Sequence, residues 1–265
     1  MLRVELSTQL IRLRTLIALA CLVAVPALAA ASFASKAGHR NGTQGGLFGA
    51  SPYSALNHAM ASLEFTTPLL LPIVVALLAA AFASADRDWG VLRYLYVAPV
   101  TRGRLLAAKL AATALAAAIA VACVLAAGLL AGLALFGWHP FHVIGAANLS
   151  TSAALGRSAA SGGYILCCML AMAAIAFTLG LVLPRGAEAV AAAVGFVVVA
   201  SILNGQSALH AIAVALPVHY WQDWPALFDP ASRAHLGVGL LVQTAWMVAC
   251  TGTCLLVLRR RDPAA

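Results

Sequence analysis

Charged side chains are scarce in this sequence: Lys, Arg, Asp and Glu together supply 9% of its 265 residues. A soluble domain carries about 25% charged residues, so this chain lacks the polar surface that water requires. An apolar content of 63% and a mean hydropathy of +0.96 agree with that shortage. The composition therefore excludes a soluble domain and predicts an integral membrane protein. Most of the charged side chains, which sum to a net charge of +8, lie beside apolar segments. This placement indicates a lipid partner and no nucleic acid.

Motifs of common catalytic and nucleotide-binding sites are also missing. The sequence has no HExxH motif, no GxSxG in a strand-turn-helix context and no Walker A motif. We therefore expect neither an enzyme nor a chain that holds the phosphates of ATP itself. The cysteines lie in apolar stretches and predict no disulfide framework; they are Cys21, Cys123, Cys167, Cys168, Cys250 and Cys254.

Metal sites are weakly indicated. Cys167 and Cys168 precede Met169, and Met172 follows, but small packing residues in a helix interface are the favoured interpretation. The histidines fall in or beside the loops on one side and predict solvated residues, with a metal-linked role as an alternative. They are His39, His58, His139, His142, His210, His219 and His235.

Six apolar stretches approach or exceed the roughly 20 residues that a helix needs to cross a bilayer. Backbone groups in lipid must be satisfied within the segment, so these are helices, and the alternation of a membrane barrel is absent. The sequence predicts an all-α membrane protein in a single domain, residues 1–265. The spans are Thr15–Ala34, Thr66–Ala85, Leu105–Phe136, Gly163–Leu183, Ala187–Leu203 and Gly237–Leu258.

The Lys and Arg residues of the loops predict how the chain is oriented in the membrane. With the N-terminus in the cytoplasm, twelve Lys and Arg residues fall inside and four outside, which places both termini in the cytoplasm. Residues 1–14 have Leu6, Leu10 and Leu13 on one face, which indicates an interfacial helix. A signal peptide ending near Ala27-Leu28-Ala29 is the alternative, but the apolar run continues past that site.

The span interiors lack charge. The sequence places no Asp, Glu, Lys or Arg near a predicted bilayer centre. Acidic residues are predicted at span edges instead, namely Glu64, Asp86, Glu188 and Asp262. Proton- and ion-driven carriers usually keep such groups inside the membrane. If the protein moves a substrate, we expect the energy to arrive from outside the bilayer.

The first cytoplasmic loop concentrates charge and aromatic residues. Residues 86–97 predict a helix of about three turns, with Trp89, Leu92 and Tyr96 on one side and Pro99 ending it. A loop that only fixes topology is the alternative. Topology needs the arginines, however, and does not need this aromatic face.

The run FASADRDWGVLRYLYVAPVTRGRLLAAK, residues 82–109, resembles the first cytoplasmic loop of ABC-2-type permeases, the membrane subunits of one group of ABC exporters. Asp replaces the usual Glu, and Val91 the usual Thr. The matching positions are Asp86, Gly90, Leu92, Leu95, Pro99, Val100, Thr101, Arg102, Leu105, Leu106 and Lys109.

The resemblance implies that residues 86–104 form a coupling loop that docks on a separate ATP-binding subunit, which binds ATP and Mg. It implies a homodimer or a heterodimer with a related permease, in the inner membrane of a bacterium. It also implies export of an unidentified substrate, to which an apolar lining assigns an amphiphilic or hydrophobic character. The expected coupling residues are Asp86, Arg87, Trp89, Leu92, Arg93, Tyr96, Pro99 and Arg102. A self-sufficient channel or secondary carrier remains the alternative function.

A second distinctive region, Gly205–His235, is here called the outer segment. Its apolar run Ala208–Leu216 is too short to span, so the resemblance implies re-entrant helices that cap the transport path. The expected outer-gate residues are Leu216, Pro217, Tyr220, Trp221 and Trp224. In the third span, Gly128 and Gly132 form a GxxxG motif, which predicts close helix contacts either between protomers or within one.

Overall fold

The computed structural model describes residues 9, 11–35, 46–88, 102–143, 147–229 and 236–260. Apart from one isolated bridge between Phe141 and Leu149, the regular structure of these residues is helical. Seven helices have 12 residues or more. They are α1 (Leu13–Ser35), α2 (Ala55–Thr66), α3 (Leu70–Asp88), α4 (Arg102–Leu135), α5 (Thr151–Val182), α6 (Gly186–Asn204) and α7 (Leu236–Arg260).

Five of these helices are individually long and apolar enough to cross a membrane, and α2 with α3 passes the same test as a bent pair. Each of the six predicted spans overlaps one of these helices or the pair. The all-helical, multi-pass prediction is therefore confirmed. Residues 1–8 and Leu10 lie outside the described part of the chain, so the interfacial helix stays a prediction.

The first span is a continuous helix. The helix α1 runs through Ala27-Leu28-Ala29 without interruption, and Leu22 and Ala30 are fully buried. The suggested cleavage site therefore lies within a continuous helix, one face of which packs against the protein at Pro26 and Ala30.

The fourth span starts earlier than predicted. The helix α5 begins at Thr151, not Gly163, because the side chain of Ser150 accepts a hydrogen bond from the amide of Ala153 at 3.4 Å. Its first three turns contain Arg157 and several serines, so a search for apolar runs misses them.

The helix α2 is the main feature that the apolar pattern does not predict. It precedes the predicted second span and is buried along most of its length. Glu64 therefore lies inside a helix, whereas the sequence predicted it at a span edge.

Prolines explain the bend of 64° between α2 and α3. Pro68 has no amide hydrogen, so the Glu64 carbonyl loses the donor that a continuous helix would supply. Thr67 ends α2 by donating both its amide and its hydroxyl to the Leu63 carbonyl, at 2.9 and 2.7 Å. The chain then restarts as α3 at Leu70.

The core lies between α3 and α5, with α6 and α7 packed around this pair. Phe82 of α3 and Phe177 of α5 are 1% exposed. Cys168, Met169 and Met172 are fully buried in the same cluster, where they fill space as packing residues. In the described part of the chain, no group of three or more His, Cys, Asp or Glu residues could hold a metal.

Candidate transport path: the coupling loop and the outer segment

The structure describes some of the predicted coupling residues and not others. Asp86 and Arg87 belong to the last turn of α3, which ends at Asp88, and Arg102 is the first residue of α4. The predicted coupling helix therefore stays a prediction. The residues outside the described part are Trp89, Leu92, Arg93, Tyr96 and Pro99.

A buried lysine joins the two helices that flank this loop. Lys109 is 6% exposed, and its Nζ atom donates to the backbone carbonyl of Phe82 at 3.2 Å. Lys109 lies two turns into α4, and Phe82 lies about two turns before the end of α3. The contact makes the start of α4 and the end of α3 neighbours through a charge-assisted hydrogen bond.

At the opposite end of the bundle, the described part of the outer segment, residues 205–229, contains only short helical turns. They are Ser207–Leu209, His210–Ala213, Pro217–Tyr220 and Trp224–Leu227. None of them is long enough to cross a membrane.

The predicted outer-gate residues are mostly inside the protein. Trp224 is fully buried, Trp221 is 1% exposed and Tyr220 is 5% exposed. Pro217 is also buried, and Leu216 is partly buried against the core. The structure thus brings the five residues together in one packed cover over the ends of α5, α6 and α7.

Side chains of α7 anchor this cover. Gln243, which is fully buried, donates from Nε2 to the Pro217 carbonyl at 2.7 Å. One turn further on, Trp246 donates from Nε1 to the Ala215 carbonyl at 3.0 Å. Buried carbonyls require hydrogen-bond partners, so these two donors stabilise the segment where its short turns leave carbonyls for α7 to bond.

Side chains of α5 hold the same segment from the other side. The Tyr164 hydroxyl donates to the Tyr220 carbonyl at 2.9 Å, and Arg157 donates to the Leu227 carbonyl at 3.0 Å. A Cβ on Gly239 would collide with the Tyr164 hydroxyl and lie 3.0 Å from the Tyr220 Cβ. Only a glycine at this position of α7 lets the tyrosine reach the segment.

The sequence did not predict roles for Tyr164, Gly239 and Gln243. None of these three residues is charged, and charge was the signal expected of a functional residue in a span interior. Gln243 carried a signal nonetheless: an uncharged amide in the middle of an apolar helix has to find hydrogen-bond partners.

The GxxxG glycines pack within the chain. Cβ atoms on Gly132 and Gly128 would lie 2.8 Å from the Ala55 Cα and 2.9 Å from the Ala59 Cα. Both alanines belong to α2. Of the two predicted alternatives, the structure has the contact within one protomer, and α2 occupies that face of α4.

His58 of α2 is also buried, at 1% exposed, so its prediction as a solvated residue is wrong. Its Nδ1 lies 2.7 Å from the Ser51 hydroxyl, and its Nε2 lies 3.0 Å from the Pro26 carbonyl of α1. The neutral tautomer with hydrogen on Nε2 satisfies both contacts, so the ring links α1 to α2. His139 and His210, in contrast, are exposed as predicted.

Comparison with known proteins supports the resemblance carried by residues 82–109. No curated protein matches the sequence. Residues 5–258 match the family model described as ABC-2 family transporter protein. The chain therefore belongs to the ABC-2 transporter family and is the multi-pass membrane permease of an ABC transporter, whose partner is an ABC ATP-binding protein.

Proposed function

We propose that this permease exports a hydrophobic or amphiphilic substrate, with energy from ATP-binding subunits that dock on residues 86–104. The family match over residues 5–258 supports the proposal most directly. The missing Walker A motif agrees with it, because ATP must then bind to another chain.

The packing offers a route from the coupling loop to the outer segment. The loop joins α3 to α4, and Lys109 links these helices near its base. The helix α3 packs closely along α5, which carries Tyr164 and Arg157 beneath the outer segment. In the proposed mechanism, closure of the ATP-binding subunits shifts α3 and α4. The movement of α5 then weakens the hydrogen bonds that hold the outer gate.

The proposed working unit is a homodimer or a heterodimer in a bacterial inner membrane, with both termini in the cytoplasm. The excess of arginine in the predicted inner loops supports this orientation. A path between two largely apolar protomers has few fixed charges, and this favours a substrate with an apolar body.

The test uses an ABC ATP-binding protein from the same organism that copurifies with the wild-type permease. Truncation of Trp89 and Tyr96 to Ala should abolish copurification and substrate-stimulated ATP hydrolysis. A buried aromatic anchor typically contributes about 2 kcal/mol or more, which is roughly a thirty-fold loss of affinity.

The matched control is Trp138→Ala, which removes an exposed aromatic residue just beyond the far end of α4 and should leave the complex intact. Normal binding by the Trp89→Ala, Tyr96→Ala variant would contradict docking on the loop. Substrate movement that persists without any ATP-binding subunit would favour a channel or secondary carrier.

A further inference from the structure

Glu64 is an acidic residue that the transport mechanism above does not use. It lies in the last turn of α2, and its Oε2 atom is buried and has no hydrogen-bond partner. The contact at the carboxyl group is the backbone amide of Phe48, in the short helix Gly46–Gly49. Among the residues that the structure describes, no group thus donates a hydrogen bond to this enclosed oxygen.

The packing of α2 on α4 sets the depth of this carboxyl group. Ala55 lies against Gly132, and Ala59 lies against Gly128, so the two helices run antiparallel in register. Five residues beyond Ala59, Glu64 lies level with about residue 123 of α4. The candidate span Gly103–Leu135 has its midpoint at residue 119, about 6 Å away along the helix axis. The carboxyl group therefore lies level with the middle turns of α4, away from both ends of that helix.

The described cations on the helices that pack against α2 do not bond the Glu64 Oε2 atom. Arg14 of α1 bonds the Gln9 side chain, Lys109 of α4 bonds Phe82, and Arg104 is exposed. The remaining titratable groups on the elements packed against α2, together with His58 of α2 itself, are Cys21, Tyr53 and Cys123. None of these groups bonds Oε2.

The end of a helix adds to the cost of negative charge here. The last carbonyls of α2 point toward its C-terminus, which carries about half a negative charge. Pro68 leaves the Glu64 carbonyl without its usual donor. An ionised carboxylate at this place would have one oxygen buried without a partner beside a negative helix end, an arrangement that favours the neutral acid. Binding of a proton to the carboxylate removes the negative charge and requires no additional space.

We propose that Glu64 is a proton-binding site: its carboxyl group is a neutral acid while Gly46–Gly49 covers it, and it ionises when that cover moves away. The outer half of the permease thereby responds to pH, since alkaline conditions favour the uncovered state. The proposal is independent of ATP-driven export and concerns this chain alone.

Infrared spectroscopy of the full chain in a detergent without carbonyl groups tests the proposal, because the C=O band of a neutral carboxylic acid is separate from the bands of a carboxylate. The wild-type protein should show a neutral-acid band at neutral pH. Glu64→Gln should abolish it, and Glu64→Asp should shift it. The matched control is Glu188→Gln, which removes a 44% exposed side chain paired with Arg185 at 3.3 Å and should leave the band unchanged.

Hydrogen exchange of residues 46–53 is the second measurement. After correction for the intrinsic pH dependence, exchange should rise with pH in the wild type and stay flat in Glu64→Gln. A wild-type protein without a neutral-acid band at neutral pH would overturn the proposal, and this result needs no variant that folds. A band that persists in folded Glu64→Gln would also overturn it.

Discussion

Gly180 of α5 and Ala83 of α3 touch so closely that a Cβ on the glycine would lie 2.6 Å from the alanine Cβ and 2.8 Å from the Ala80 carbonyl oxygen. At this point the α5 backbone packs directly on the α3 backbone and the Ala83 methyl group. A displacement of α3 is therefore passed to α5 directly, since close-packed backbones cannot absorb it by rotamer changes.

The first prediction concerns this contact. Gly180→Ala forces α3 and α5 apart, and overpacking of this kind typically costs about 1–3 kcal/mol. We expect a lower melting temperature in detergent and a smaller share of ATP hydrolysis coupled to transport. Gly163→Ala is the control in the same helix, because a Cβ there meets nothing within 4 Å. Equal behaviour of the two variants would show that the contact has no special role.

The sequence predicted the long helices because their apolar runs are uninterrupted, and lipid leaves no other structure for such runs. It did not predict α2, because that helix buries polar groups that find partners only in the folded protein. Asn57 is one example: it exchanges two hydrogen bonds with the backbone of His142, at 2.8 and 3.0 Å. A scan of hydropathy cannot anticipate a partner 85 residues away.

The outer segment illustrates the same limit. Its length, prolines and aromatic residues predicted that it would not form a long helix, and residues 205–229 contain only short turns. Its anchors were not predictable, because Tyr164 and Gln243 become visible as donors only when α5, α7 and the segment are placed together. The coupling side chains Trp89 to Pro99 are a different case, because the structure does not describe them.

The second prediction concerns Lys109. Lys109→Met keeps most of the apolar stem but removes the bond to the Phe82 carbonyl. The charge-assisted hydrogen bond that is lost typically contributes about 1.5–3 kcal/mol, and the methionine side chain offsets part of this loss by packing in the same space. We therefore expect normal folding and binding of the ATP-binding protein, with weaker stimulation of ATP hydrolysis by substrate. A variant that remains fully coupled would exclude the lysine from the transmission route.

The third prediction concerns orientation. Because arginine bias sets topology, Arg104→Cys should resist a membrane-impermeant thiol reagent in intact cells and react after the cells are opened. His142→Cys lies near the opposite end of α4 and should react in intact cells. Both variants require a background in which the six native cysteines are replaced. Labelling of position 104 from outside would reverse the predicted orientation.

The last prediction concerns the anchoring of the outer segment. Gln243→Leu leaves the buried Pro217 carbonyl without its donor, and an unsatisfied buried group costs about 1–3 kcal/mol. We expect the segment to open more often, so that a cysteine introduced at Val218, which is 5% exposed, reacts faster with an external reagent. Opening without ATP should also raise substrate leakage.

Thr244→Val is the matched control, because the Thr244 hydroxyl bonds only the Leu240 carbonyl of its own helix, so its loss should leave the Val218 site unchanged. Combining Gln243→Leu with Tyr164→Phe should increase the reaction further, since Tyr164 holds Tyr220 from α5. If the double variant reacts no faster than the wild type, the hydrogen bonds do not hold the segment closed and its packing alone does.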